Sequence, residues 1–350
     1  MNDPVESRAD DSEDLYDITT WEPRTALDRL AVRTHRGVLR AGRRFVVLLG
    51  VLILVAILVL SGAGGLIIDD PFVLGLAALS VVPAGGLALY IYSADITTKE
   101  PPVLLVATFV LAVLFAGFAA IINTVFSFLQ LFPFIGLVLF FFLVVGPVEE
   151  SVKLLAVWLY PYRDSRFDSV VDGAVYGAVA GLGFAAIENV LYITQNLQTP
   201  ASVLITSGVG VVGGLTETLE AGGQITAIRG LAGPGHVVYS AFAGYYLGLA
   251  KFNPENAGPI VAKGLLIAAF IHAMYNTLVG LVPGLVSLLV PGVPILVLFF
   301  GFVVVFQGLF FYILYRKLKR YETAYKRVHS DPEGAENFGS ELSEFDPDSN

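Results

Sequence analysis

The sequence predicts an all-α fold: a polytopic bundle of about eight transmembrane helices with disordered acidic termini. Three observations lead there. Hydrophobic residues fill 55% of the 350 positions and charged residues only 15%, whereas a soluble domain carries roughly 25% charge. Mean hydropathy is +0.73, and several apolar runs reach the ~20 residues that cross a bilayer. Basic residues gather at particular ends of those runs, the pattern of cytoplasmic loops. There are no cysteines, which excludes disulfides and thiol nucleophiles and leaves the redox compartment unread.

Three regions follow from composition. Residues 1–44 hold an acidic tail and then a basic juxtamembrane arm, 45–316 the membrane domain, and 317–350 a basic and then acidic tail. The formal charge of -9 resides mostly in the tails. Residues 1–22 carry Asp3, Glu6, Asp10, Asp11, Glu13, Asp14, Asp17 and Glu22 against Arg8, and the far end carries Glu333, Glu336, Glu341, Glu344, Asp346 and Asp348. Polar acidic segments of this kind read as disordered. The first apolar run begins near Phe45, so no signal peptide is expected to open the chain.

The predicted spans are 45–63, 72–93, 102–128, 134–160, 170–196, 234–250, 259–281 and 293–316. Residues 200–230 are long enough to span, yet contain Glu217, Glu220 and Gln224, and carboxylates in mid-span are costly unless paired or hydrated. The flanks decide how to count this segment. Seven arginines lie from Arg24 to Arg44, and Arg316, Lys317, Lys319, Arg320, Lys326 and Arg327 follow the last span. The positive-inside rule therefore makes both termini cytoplasmic. Eight crossings satisfy this, place Arg163, Arg166, Lys251 and Lys263 inside, and leave the outer loops 64–71, 123–133 and 282–292 poor in positive charge. A ninth would break the pattern, so 200–230 is expected to be re-entrant, peripheral or tilted.

Ionisable residues inside the membrane are costly and mark function. Glu149, Glu150 and Lys153 fall within the fourth span, and the spacing lets both carboxylates approach the ammonium on one face. A solvated helix end with a snorkelling lysine is the alternative, but apolar residues Leu154 to Tyr160 continue the span. In the fifth, Gly173, Gly177, Gly181 and Ala185 form a stripe suited to close helix packing. Glu188 lies three residues beyond it on nearly the same face, so packing would carry that carboxylate inward. His236 opens the sixth predicted span and shares a face with Ser240, Gly244 and Gly248. His272 and Asn276 share a face of the seventh. A lone buried histidine is usually a hydrogen-bonded core residue. Two, in a bundle that also buries three glutamates, point to a site.

Glutamate and histidine in a protected cavity can hydrolyse through an activated water: a carboxylate takes the proton, a histidine or metal orients the water, and a donor such as Asn276 stabilises the oxyanion. The chain has no Gly-x-Ser-x-Gly, no His-Glu-x-x-His, no P-loop and no dinucleotide fingerprint.

These residues carry a resemblance. Glu149-Glu150-x-x-Lys153, the run from Asp172-Gly-x-x-Tyr176-Gly177 to Glu188-Asn189, the segment Arg229 to His236, and His272-x-x-x-Asn276 resemble the PrsW family over about residues 70–285. That family is grouped with CAAX prenyl endopeptidases and bacteriocin-immunity (ABI) proteins. The resemblance implies an intramembrane peptidase that cleaves a membrane-anchored protein, typically an anti-sigma factor in bacterial relatives. The partners it implies are that substrate and the lipid bilayer, with no nucleic acid, in a multi-pass protein of the cell membrane. It implies Glu149, or else Glu150, as the general base, His236 as a residue holding the water, and His272 with Asn276 as an oxyanion hole. Glu188 matches a further acidic position. The cofactor is either none or a single divalent metal such as zinc, with His236 and His272 as candidate ligands. Asn276 stands where many relatives have aspartate, and 200–230 is longer than the family's usual connection. A transporter moving ions or protons along Glu149, Glu150, Lys153 and Glu188 is the alternative function, and a catalytically dead scaffold a third.

Overall fold

The computed structural model describes residues 14, 16, 22–133, 135–198 and 215–330; most of both acidic tails and residues 199–214 lie outside them. Among the described residues the regular elements are helical, with no strand. The chain divides into two compact units, residues 1–49 and 50–350.

In the first unit the basic arm is itself helical. Helix α1 (Ala26–Leu60) starts well before the predicted span at 45. Its start is fixed reciprocally: Thr25 Oγ1 accepts from the Asp28 N–H (3.1 Å) and Asp28 Oδ2 accepts from the Thr25 N–H (2.7 Å), a capping-box arrangement that satisfies two otherwise orphaned donors. The long arginines do not interrupt the helix, being good helix formers.

The second unit continues through α2 (Ala63–Asp69), α3 (Pro71–Ala94), α4 (Pro102–Val125), α5 (Ile135–Phe140), α6 (Gly146–Leu159), α7 (Val170–Gln198), α8 (Leu215–Lys251), α9 (Ala257–Leu289) and α10 (Ile295–Ser330). Among the described residues seven helices are long and apolar enough to cross a membrane, counting residues 135–163 as one. Helix α8, with 37 residues, is the eighth long helix. The most apolar stretch of α7 is 89% buried, against 17% for α10, so α7 is the centre of the bundle. The outer helices turn Leu79, Val82, Val106, Leu143, Leu266 and Val305 outward, as lipid-facing surfaces do, since lipid tails are as apolar as leucine.

Helices α7 and α8 pack along the predicted small-residue stripe, which extends onto both partners. A Cβ on Gly173 would lie 2.2 Å from the Gly244 carbonyl oxygen, one on Gly177 2.2 Å from that of Ser240, and one on Gly181 2.3 Å from that of His236. Only glycine allows this approach. The same antiparallel register, carried two turns further, sets Glu188 opposite Arg229.

The predicted boundaries need correction at α8. Residues 215–233 are helical and continuous with the span expected to begin at 234, so His236 lies in mid-helix and does not open it. The part of 200–230 that is described is thus the first portion of α8. Pro234 sits inside this helix and removes one backbone donor. One residue beyond the Gly230 carbonyl that this leaves without its helical donor, Gln307 Nε2 of α10 donates to the Leu231 carbonyl (2.9 Å), which ties α10 to this turn of α8. Helix α10 likewise runs past the predicted end at 316 to Ser330.

Candidate active site

Between α5 and α6 the chain makes a π-helical turn, Phe141–Val145, in which the Gly146 N–H bonds the Phe141 carbonyl. Pro147 follows at the start of α6, and such π segments are frequent at functional sites. A Cβ on Gly146 would fall 2.5 Å from the Ala269 carbonyl oxygen. This contact brings α6 against α9, so that one turn later Glu149 and Glu150 meet His272.

The two adjacent glutamates have different surroundings. Glu150 is fully buried and fully partnered. Its Oε1 accepts from Lys153 Nζ (2.7 Å) and lies 2.9 Å from His272 Nδ1, while Oε2 accepts from Ser240 Oγ (3.0 Å). Glu149 Oε1 accepts from Asn123 Nδ2 (3.1 Å). Its Oε2 is buried with no hydrogen-bond partner, 3.7 Å from His272 Nε2 and 3.8 Å from Lys153 Nζ.

Hydrogen-bond logic orients both imidazoles. Lys153 Nζ stands 2.8 Å from His236 Nδ1, and an ammonium can only donate. His236 Nε2 therefore carries the proton and donates to Glu188 Oε2 (2.9 Å). Glu188 also receives Arg229 Nη2 (2.7 Å), and Arg229 Nε donates to Asn189 Oδ1 (2.9 Å) with its guanidinium over the Tyr192 ring at 4.3 Å. For His272, Nδ1–H donates to the Glu150 carboxylate, which leaves the Nε2 lone pair facing Glu149. Carboxylates commonly fix a histidine tautomer in this way. The His236 and His272 rings meet edge to face, centroids 5.1 Å apart.

Glu149, Glu188, His236, His272 and Asn276 line one cavity of about 550 Å³, together with Asn123, Arg229 and Tyr239. Glu150 stands behind His272 and is not part of the wall. The cavity reaches Thr124, Ser127, Gln130 and Gln195, at the end of the bundle where α4 and α7 finish. Three of its polar atoms are buried and unpartnered: Glu149 Oε2, Asn123 Oδ1 and Tyr239 Oη. Each such atom costs about 1–3 kcal/mol unless something binds it, so the wall is built to hold a polar group or water.

Sequence reasoning gave no role to Arg229, Asn123 or Tyr239. Arg229 lies seven residues before His236 and Tyr239 three after it, so both share its face of α8; splitting the helix at 234 hid the first. Asn123 falls where the sequence predicts the start of an outer loop.

Glu149, His236 and His272 offer ligand atoms that all lie within 4.8 Å of one another. Glu149 Oε2 and the His272 Nε2 lone pair are open to a divalent ion of the zinc type, and His236 completes the set only where Lys153 gives up its Nδ1.

Residues 100–308 match the PrsW family of intramembrane metalloproteases. Relatives named Protease PrsW include one from Shouchella clausii, 27% identical over 57% of this chain and 80% of the relative. One from Oceanobacillus iheyensis is 28% identical over 58% and 82%, and one from Bacillus subtilis 29% identical over 39% and 51%. No solved structure matches the chain.

Proposed function

The chain belongs to the PrsW family of intramembrane proteases, and from that premise we propose that Glu149 is the base of a hydrolytic site that cuts a membrane-anchored protein. The observation that carries this is the pairing of an unpartnered Glu149 Oε2 with His272 Nε2 at 3.7 Å. One water can bridge them, giving one hydrogen to the carboxylate and the other to the imidazole lone pair, within ordinary general-base reach. As that water attacks the scissile carbonyl, its proton passes to Glu149. The developing oxyanion faces donors from Asn276 and the otherwise unpartnered Tyr239 hydroxyl. Glu149 then gives its proton to the leaving amine, so that an acid and an amine are released. Glu150 acts through His272, holding its Nδ1 proton, and Lys153 holds Glu150. Glu188, braced by Arg229, fixes the His236 ring. A divalent metal such as zinc would be held by Glu149 and His272, with His236 joining where Lys153 leaves its Nδ1, and would supply Lewis-acid activation of the water.

The topology we propose has eight crossings and both termini in the cytoplasm. Lys251 Nζ donates to the Tyr162 and Asp164 carbonyls (2.8 and 3.2 Å), which supports Arg163, Arg166 and Lys251 sharing one end. The cavity extends toward the opposite end, supporting water entry from outside and a cut near the extracytoplasmic end of the substrate's anchor. An anti-sigma-like protein is the substrate class the family suggests.

The test maps new protein termini in membranes of cells expressing the wild type or Glu149→Gln, with metal analysis of the purified protein. We expect single-span proteins cut only by the wild type, with the variant down by about 10²–10⁴-fold. Equal cutting by both would overturn the assignment of Glu149.

A further inference from the structure

A second cluster of buried carboxylates lies at the other end of α7, outside the cavity. Asp95 closes α3, Glu100 sits just before α4, and Asp172 is in the first turn of α7. Their relative exposures are 2%, 2% and 0%, and their carboxylate oxygens lie within 4.8 Å of one another. Part of the set is held in place. Asp95 Oδ1 accepts from the Thr97 N–H (2.8 Å) and Oγ1 (2.7 Å). Asp172 Oδ2 accepts from the Asp168 N–H (2.8 Å) and the Ser169 N–H (3.2 Å), and its Oδ1 from Ser169 Oγ.

The remaining oxygens have nothing. Asp95 Oδ2 and both oxygens of Glu100 are buried without a hydrogen-bond partner, and so is the Tyr176 hydroxyl, one turn beyond Asp172 and within electrostatic reach of Glu100 and Asp172. The nearby cations are turned elsewhere. Lys99 Nζ donates to the Tyr92 and Asp95 carbonyls (2.9 and 2.6 Å) and Lys251 Nζ to those of Tyr162 and Asp164.

We propose that Asp95, Glu100 and Asp172, with the buried Tyr176 hydroxyl one helical turn beyond Asp172, form a binding site for a hard divalent cation, calcium or magnesium, separate from the hydrolytic site. Three buried carboxylates cannot remain charged without compensation. An all-oxygen donor set selects hard cations over zinc. Oxygens no more than 4.8 Å apart lie within about 2.8 Å of a common centre, close to the calcium–oxygen range of about 2.3–2.6 Å, so small side-chain shifts let one ion reach all three. The cation ties the 95–100 connection to the start of α7. Sixteen residues separate Asp172 from Glu188, or about 24 Å along the helix, so the ion acts on the anchoring of α7 and touches no reacting atom.

Purified full-length protein in nanodiscs, stripped with EDTA, is melted during titration with calcium or magnesium. The wild type should gain about 5–10 °C in Tm at a hundredfold excess over Kd. Glu100→Gln should lose that gain, while Glu149→Gln keeps it, which separates this site from the catalytic one. Should Glu100→Gln fail to fold, the wild type serves: terbium luminescence sensitised by tyrosine should appear, fall when calcium competes, and weaken in Tyr176→Phe. No cation-dependent rise in Tm in the wild type, an equal rise in Glu100→Gln, or terbium emission indifferent to calcium would overturn the proposal.

Discussion

Replacing Gly181 by alanine should slow catalysis far more than it weakens the fold. A Cβ there would lie 2.3 Å from the His236 carbonyl oxygen, whereas carbon–oxygen contacts of about 3.3 Å are ordinary. The obstacle is backbone, so α7 and α8 must part locally by about 1 Å. His236 is the residue displaced, and with it the links to Lys153 and Glu188. A misplacement of about 1 Å typically costs on the order of 10²-fold in rate, and we expect that loss in kcat. Gly173→Ala supplies the control. Its Cβ would lie 2.2 Å from the Gly244 carbonyl oxygen, an equal clash, but eight residues and about 12 Å further along α7. Both variants should show a similar fall in Tm. Cleavage of a mapped single-span substrate in nanodiscs, followed under single-turnover conditions, separates the two effects. Equal kcat losses in Gly173→Ala and Gly181→Ala, or none in Gly181→Ala, would refute the claim that the glycine contact positions the site.

Three further outcomes are expected. Lys153→Met leaves Glu150 buried without its counter-ion, and chemical unfolding of the purified protein should show a loss of about 3–5 kcal/mol; under 1 kcal/mol would mean that the ammonium is not the compensating charge. A topology reporter fused after Arg327 should be active only on the cytoplasmic side, and activity outside would invert the proposed orientation. Mass spectrometry of a cut substrate should find the new terminus near the extracytoplasmic end of its anchor, whereas a cytoplasmic scissile bond would contradict the opening inferred from Thr124, Gln130 and Gln195.

Membrane class and most helix positions were legible in the sequence because both depend on local quantities: the length of an apolar run, the side on which arginines gather, and the cost of charge in hydrocarbon. The spacing of Glu149, Glu150 and Lys153 is also local, as is the glycine stripe of α7. The start of α8 was not legible. Glu217, Glu220, Gln224 and the positive-inside count set residues 200–230 apart from the spans, and it is the pairing of Arg229 with Glu188 and Asn189 across the helix pair that marks the described part of this stretch as one helix with His236. The different surroundings of Glu149 and Glu150 were equally hidden. Adjacent glutamates on one helix are chemically alike until His272, 122 positions away, takes one of them as the partner for Nδ1. Composition and spacing thus determined which residues had to be buried together. The antiparallel register of α7 on α8 and the Gly146 contact with α9 decided which atoms face each other, because hydrogen-bond partners are set by distances of about 3 Å that arise only when helices remote in sequence touch.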